Sequence, residues 1–357
     1  MGAYFITIAI SLAFAGLAEY KQGHTLQHEK RLTTGTKILL ALALGALIFT
    51  AGLRYYIGAD YGGYYRWMES DGTLLKRKIL ELDEPGLHLL AALIRPFTDD
   101  GAYFIFACSL ITILLFMVPT LKYTDNFFFV MALFIFTGTW HGAFNGVRQF
   151  LAAAILFAGH RLIFERKFWK YLLVVFLAFL VHRSAAVGIV FYFIFANRIS
   201  IINVILLLVG TYLVSANFDA IFQFIGLLKD EEVNIDQITY FSNTVNIFRV
   251  LVACAPAVYV IVLYFRKNPD KEKTFYINVL LANAASMLAT ANSAYLARVN
   301  IYTNAFVPLA LSKLIKFDNK AKEGLVKVGI IILYAIFWYI DITNSKVLSP
   351  FHWIWER

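Results

Sequence analysis

An all-α polytopic membrane protein is the fold class this sequence predicts, and three observations predict it. Apolar runs follow one another along the 357 residues, with no polar block between them long enough to fold alone. Hydrophobic residues make up 60% of the chain and charged residues 15%, where a soluble domain carries about a quarter charged. Lys and Arg sit in short loops between the apolar runs, and mostly in alternate loops.

The formal charge of +9 therefore describes topology and not a nucleic-acid partner, because no single segment gathers the basic residues. Cys108 and Cys254 both lie inside apolar runs and point to neither a disulfide nor a metal. The first run reads as a span and not as a signal peptide. No basic stretch precedes it, and Lys21, Lys30 and Arg31 follow it. The whole of 1–357 reads as one transmembrane domain, without internal repeats or low-complexity segments.

A helix rises 1.5 Å per residue, so about 20 apolar residues cross the hydrocarbon core. The apolar runs are 3–18, 38–57, 101–121, 126–141, 147–163, 168–182, 184–197, 200–217, 245–265, 274–292, 298–315 and 326–342. The stretch 168–197 is either one long span with His182 and Arg183 near its middle or two short spans meeting there. Charge bias selects two. That choice puts Arg161 to Lys170, Arg266 to Lys273 and Lys313 to Lys327 on one side, as the positive-inside rule requires. About twelve spans follow, with both termini outside. The opposite loops, 58–100 and 217–244, are acidic or nearly neutral. Each holds an apolar segment too short to cross, Pro85 to Phe97 and Phe218 to Leu228. Both segments read as interfacial or re-entrant helices on the outer side.

Ionisable residues in or beside spans are costly and mark function by default. On this topology Arg54, Asp60, Glu84, Arg148, His182, Arg183, Arg249 and Arg298 all collect on the outer side. Any one of them alone also fits a snorkelling anchor or a structural pair. Around Asp60, glycines loosen the backbone between Arg54 and Tyr64. Asp60 is placed to accept hydroxyl hydrogen bonds, and Tyr61 and Tyr64 to stack on sugar faces. An interfacial tyrosine belt is the competing reading. Asn145, Gly146, Val147, Arg148 and Gln149 open a span, so Arg148 stands in a first helical turn. Free N–H groups and the positive helix end there suit a diphosphate, whereas a lipid anchor is the simpler role. His182 lies at the junction of two short spans, where an imidazole serves as general base toward a hydroxyl, although a lone His is more often structural. Arg298 and Tyr302 are four apart, on one helix face. No metal-ligand spacing, phosphate loop or nucleophile motif accompanies them, and no cofactor is expected.

In order along the chain, Arg54…Gly58-Ala-Asp60-Tyr61…Tyr64, Glu84-Pro-Gly, Asn145-Gly-Val-Arg148-Gln149, His182-Arg183-Ser184 and Arg298…Tyr302 resemble the EpsG family of Wzy-like polymerases. These act on bacterial exopolysaccharide, capsule and O-antigen, and their architecture is similar to the GT-C glycosyltransferases and O-antigen ligases. The resemblance covers roughly residues 50 to 310 and implies a metal-independent glycosyltransferase in the bacterial inner membrane, its site facing outward. It implies transfer of a growing glycan from one undecaprenyl diphosphate to a repeat unit on another. Arg148 and Arg298, helped by Arg54, would then neutralise the leaving diphosphate. His182 would take the proton, ahead of Asp60 and Glu84. Tyr61, Tyr64, Asn145, Gln149, Arg183 and Tyr302 would bind substrate. Expected partners are the lipid-linked oligosaccharides, membrane lipids, and chain-length regulator and export proteins. A flippase of lipid-linked sugar, a membrane O-acyltransferase and a structural subunit of a synthase are the alternatives. The inner halves of the spans are nearly charge-free, which disfavours the first two. The Trp353-Ile354-Trp355 end has no counterpart in this picture.

Overall fold

The computed structural model describes residues 1–24, 32–69, 72–124, 126–195, 209, 213, 244–264, 269–293 and 296–357. These residues are helical or loop, with no strand among them. Of the sequence expectations, most of the run 200–217, the Phe218 to Leu228 helix and nearly all of the 217–244 loop lie outside the described residues. By packing, the chain divides into two compact units, residues 1–192 with 315–357, and residues 193–314.

The first unit begins with α1 (Gly2–His24) and α2 (Thr34–Gly52), which pack as a hairpin. Thr33 starts α2 by accepting the Thr36 N–H on its hydroxyl at 3.2 Å, which satisfies one orphan donor of the first turn. Three short helices follow: α3 (Tyr61–Glu69), α4 (Thr73–Leu80) and α5 (Pro85–Ile94). Next come α6 (Gly101–Tyr123), capped by Asp100, then α7 (Phe127–Phe136), α8 (Thr139–Gly142), α9 (Val147–Ala158) and α10 (Arg161–Phe164). The unit ends with α11 (Phe168–Val181), most of α12 (Val187–Phe195) and the late helix α17 (Lys320–Thr343).

Seven helical segments are long and apolar enough to cross a bilayer among the described residues. They are Gly2–Gly23, Thr34–Gly52, Gly101–Tyr123, Phe127–Asn145, Val147–Phe164, Ile247–Tyr264 and Lys320–Thr343. The chain is thus a multi-pass membrane protein. Along α17, Leu325, Val328, Ile332 and Ile336 recur at helical spacing and are exposed, a stripe that water would penalise and lipid solvates. Of the remaining expected spans among the described residues, 274–292 forms one helix, Lys271–Ala289, and the others are shorter or broken. Residues 298–315 fall into a 3₁₀ turn and two short helices, and 168–197 divides into α11 and α12.

That division is sharp. The chain leaves α11 at His182 in extended backbone (φ −156°, ψ 123°), makes one 3₁₀ turn over Arg183–Ala186 and re-enters a helix. Tyr192 then stacks on Tyr171 at 6.0 Å and meets Phe168 edge-on at 5.0 Å. Aromatic contact between the start of α11 and the end of α12 makes the pair an antiparallel hairpin. His182 sits at its tip.

The 58–100 segment is more helical than its composition announces. Gly62 and Gly63 lie inside α3 and do not loosen a loop, and the expected Pro85 to Phe97 helix ends at Ile94. The Trp-rich end also finds its place. Arg54 and Trp353 form an antiparallel bridge, flanked by Tyr55 N–H donating to His352 O and Ile354 N–H donating to Leu53 O, both at 2.9 Å. Trp353 and Trp355 stack on each other at 4.8 Å and lean on Phe49. Arg357 reaches Asp100 at 2.7 Å. Tyr4 donates to Leu348 O at 2.7 Å, so the start of α1 meets the segment that follows α17.

The second unit contains α13 (Ile247–Tyr264), α14 (Lys271–Ala289), α15 (Ile301–Asn304) and α16 (Val307–Leu314). Its interior carries an uncharged polar network. Asn300 donates to Asn283 Oδ1 at 2.9 Å and Thr303 to the same oxygen at 3.0 Å, while Asn283 donates to Ala253 O at 3.3 Å. Ala253 stands one turn before Pro256, whose ring disturbs the helix ladder of α13 and leaves carbonyls there in need of donors.

The hairpin is directly testable. In a background lacking Cys108 and Cys254, cysteines replacing Phe168 and Tyr192 should join through a bis-maleimide of about 10 Å reach. One straight helix would hold these positions roughly 36 Å apart and give no product.

Candidate functional site

A buried carboxylate organises one end of the first unit. Glu84 is only 7% exposed and stands immediately before α5, at the position where a helix still needs acceptors. Its Oε2 accepts from Arg148 Nη1 at 2.5 Å, and its Oε1 pairs with His182 Nδ1. The Arg183 backbone N–H lies 3.4 Å from the same Oε1. Arg148 also donates from Nε to the Tyr64 hydroxyl at 2.9 Å. Two segments far apart in sequence therefore meet on one carboxyl group, and a third joins them through Arg148.

Local chemistry explains how each residue arrives. Pro85 presets the first turn of α5, and Gly86 lets that turn touch the end of α11: a Cβ there would lie 3.0 Å from the Leu180 carbonyl. Only a glycine permits so close a backbone approach, and it places Glu84 under the hairpin tip. The Glu84 backbone pays for this with a left-handed conformation, φ 50° and ψ 52°, and Leu82 has φ 54°. A residue before proline normally prefers extended backbone, so the strain here is held by the side-chain contacts of Glu84. Arg148 projects from the first turn of α9. The preceding Asn145 accepts the Ala59 N–H at 3.1 Å, which ties this turn to the start of α3. At Gly58 the backbone has φ 104°, and an added Cβ would fall 2.0 Å from Phe144 O.

The electrostatics fix the protonation pattern. Burial pushes the Glu84 carboxyl up, but the His182 hydrogen bond and the Arg148 charge outweigh it and hold the group at about 2. An ionised carboxylate only accepts, so the His182 proton sits on Nδ1 and leaves Nε2 as the basic nitrogen. His182 is 18% exposed, enough for contact with a ligand. Burial raises the Tyr64 hydroxyl and keeps it neutral. Beside Glu84, Asp83 is held low by the Lys78 hydrogen bond at 2.5 Å and also meets Arg183 Nη2 at 3.3 Å. Arg183 is 61% exposed.

Of the sequence-predicted site residues, Tyr64, Glu84, Arg148, His182 and Arg183 stand together. Asn145 braces the cluster. Asp60 caps α3 through its carbonyl, which accepts the Gly63 and Tyr64 N–H groups, and its charge is felt at Tyr64. Gln149 lies one position beyond Arg148 and is half-buried. Arg54 is different from its expected role: it is fully buried, donates to the Ile57 and Ala51 carbonyls and to Ser109, and faces the Phe144 ring at 4.6 Å. Its work in this fold is structural. Tyr61 is likewise fully buried, among the rings of Tyr55, Tyr56 and Tyr65, and offers no face to a sugar. Arg298 and Tyr302 belong to the second unit. Arg298 is exposed in a 3₁₀ turn and Tyr302 is fully buried in α15, so the two do not share a surface.

Sequence reasoning missed His88 and Trp67. His88 Nδ1 donates to Glu84 O at 3.1 Å, and Trp67 stacks on the His88 ring at 4.5 Å and 28°. The signal was available in the spacing, because His88 lies one helical turn beyond Glu84.

Glu84→Gln should lower stability by about 1–3 kcal/mol, since it leaves Arg148 without its counter-charge. In the wild type, the lowered carboxyl value means the unfolded chain binds the extra proton first. The stabilisation is therefore complete above the ordinary value of 4.5 and is lost as pH falls from there toward about 2. Thermal unfolding in detergent across that range should show a slope that Glu84→Gln flattens.

No curated protein and no solved structure matches the chain. The EpsG family matches residues 37–353, which takes in most of α2, every helix from α3 through α17 and every residue of the cluster. The chain belongs to the EpsG family of Wzy-like polysaccharide polymerases.

Proposed function

We propose that this polymerase transfers a growing glycan from undecaprenyl diphosphate to the lipid-linked repeat unit of a second carrier, at the outer face of the bacterial inner membrane. The observation that carries the reading is one carboxylate, Glu84, gripping both His182 and Arg148. Ionised Glu84 fixes the tautomer of His182 and stabilises the imidazolium that forms when Nε2 accepts a proton. In the transfer step the acceptor oxygen attacks the anomeric carbon and loses its proton to His182 Nε2. The bond from that carbon to the diphosphate oxygen breaks, and the diphosphate leaves with the electron pair.

Departing charge needs cations. Arg183 is the more exposed of the cluster arginines, and Arg148 keeps 39% of its side chain exposed while paired. We assign the diphosphate to these two. For Arg298 the same role rests on the family resemblance alone. About twelve spans, a GT-C-like arrangement and an outward site complete the proposal, supported by the charge bias of the loops.

His182→Ala should reduce polymerisation by about 10²–10⁴-fold while the protein stays folded. Arg148→Lys should lose most polymer too, because an ammonium cannot serve Glu84 and Tyr64 as a planar fork does. The measurement is lipid-linked glycan from a deletion strain carrying each variant. Single repeat units at the outer leaflet fit a polymerase, whereas accumulation at the inner leaflet would make the chain a flippase.

Orientation is tested separately. A cysteine at Glu81 should react with an impermeant thiol reagent on intact cells and one at Lys320 should not. The reverse pattern would turn the site inward.

A further inference from the structure

The tyrosine-rich segment before α4 does not stack on a ligand as its composition announces. Tyr61, Tyr64 and Tyr65 are all buried, and the exposed Tyr56 packs on Tyr61, Tyr65 and the Gly62 position. What α3 does present is a second set of residues. Asp60, Gly63, Tyr64 and Trp67 follow the i, i+3, i+4, i+7 spacing of one helix face. Tyr64 on that face is bound by Arg148 at 2.9 Å, and Trp67 is held against His88, which donates to Glu84 O. Two separate contacts thus tie this face to the Glu84–His182 pair. Its centre is open. A Cβ built at Gly63 meets no atom within 4 Å, although its neighbours on the helix are packed.

From this we infer that the Asp60–Gly63–Trp67 face of α3 is the subsite for the acceptor sugar, an inference that rests on the polymerase reading above. The chemistry fits a pyranose. An apolar ring face lies along the indole of Trp67, hydroxyls bond to the Asp60 carboxylate, and the missing side chain at Gly63 leaves the room the ring occupies. Glycine in the middle of a helix weakens it, so its presence on an otherwise packed face needs a reason beyond folding. Space for substrate is that reason. Trp67 and Asp60 then orient the acceptor hydroxyl toward His182 without taking part in the proton transfer.

The test uses full-length protein in membranes, with the strain's own lipid-linked repeat unit as varied acceptor and a polymer-bearing carrier as fixed donor. Gly63→Leu replaces a helix-weakening glycine at a position where an added Cβ meets no atom within 4 Å, so its thermal midpoint should equal or exceed wild type. The acceptor KM should rise about tenfold or more, with kcat and donor KM within about two-fold. Trp67→Phe should retain a smaller platform and give a milder KM increase, and Asp60→Asn should raise acceptor KM with kcat preserved. A folded Gly63→Leu with unchanged acceptor KM overturns the subsite. So does a destabilised Gly63→Leu, because the space would then not be open. An Asp60→Asn effect confined to kcat would move Asp60 from binding to proton transfer and overturn its part. Wild-type protein that transfers no glycan overturns the polymerase reading itself, a result distinct from failure of the variants.

Discussion

Everything around the α11–α12 tip of the first unit depends on keeping one carboxylate ionised out of water. Removing Glu84 from solvent costs several kcal/mol, and the cost is met only if its oxygens are fully engaged. Arg148 engages one and His182 with the Arg183 N–H the other, from two segments far apart in the chain. The backbone is shaped to the same end. Pro85, Gly86 and the left-handed turn at Leu82 and Glu84 bring the carboxyl beneath the α11–α12 tip. The same contact that stabilises the fold also fixes the tautomer of His182, as the proposed base requires.

How much of this could be read in sequence follows from what single residues cost in a membrane. Charged side chains in apolar surroundings are expensive, so Glu84, Arg148 and His182 stood out before any geometry was known. Loop charges also foresaw the break at His182. The helical fold and the multi-pass character were equally plain from the apolar runs.

Burial was not legible. Arg54 and Tyr61 carry the right chemistry in the right order, yet contacts from Phe144, Ser109 and neighbouring tyrosines enclose them. Those contacts are long-range and leave no local trace. Gly62 and Gly63 suggested loose backbone, whereas packing of α3 on α6 overrides their weak helix propensity. The Asn283–Asn300 network was silent for a different reason. Uncharged amides in an apolar run raise no alarm, and only the pairing across α14 and the 3₁₀ turn reveals them.

The strap formed by residues 345–357 sets a temporal order on the molecule. Val347, His352 and Trp353 hold the backbone at 53–58, from which α3 starts. These residues follow α17 out of the ribosome, and they reach their partners only after that helix has been threaded through the bilayer. The backbone leading into α3 is thus braced by residues some 300 positions downstream of it. Loss of this strap would free the backbone that leads into α3 while leaving the contacts of Glu84 with Arg148 and His182 untouched.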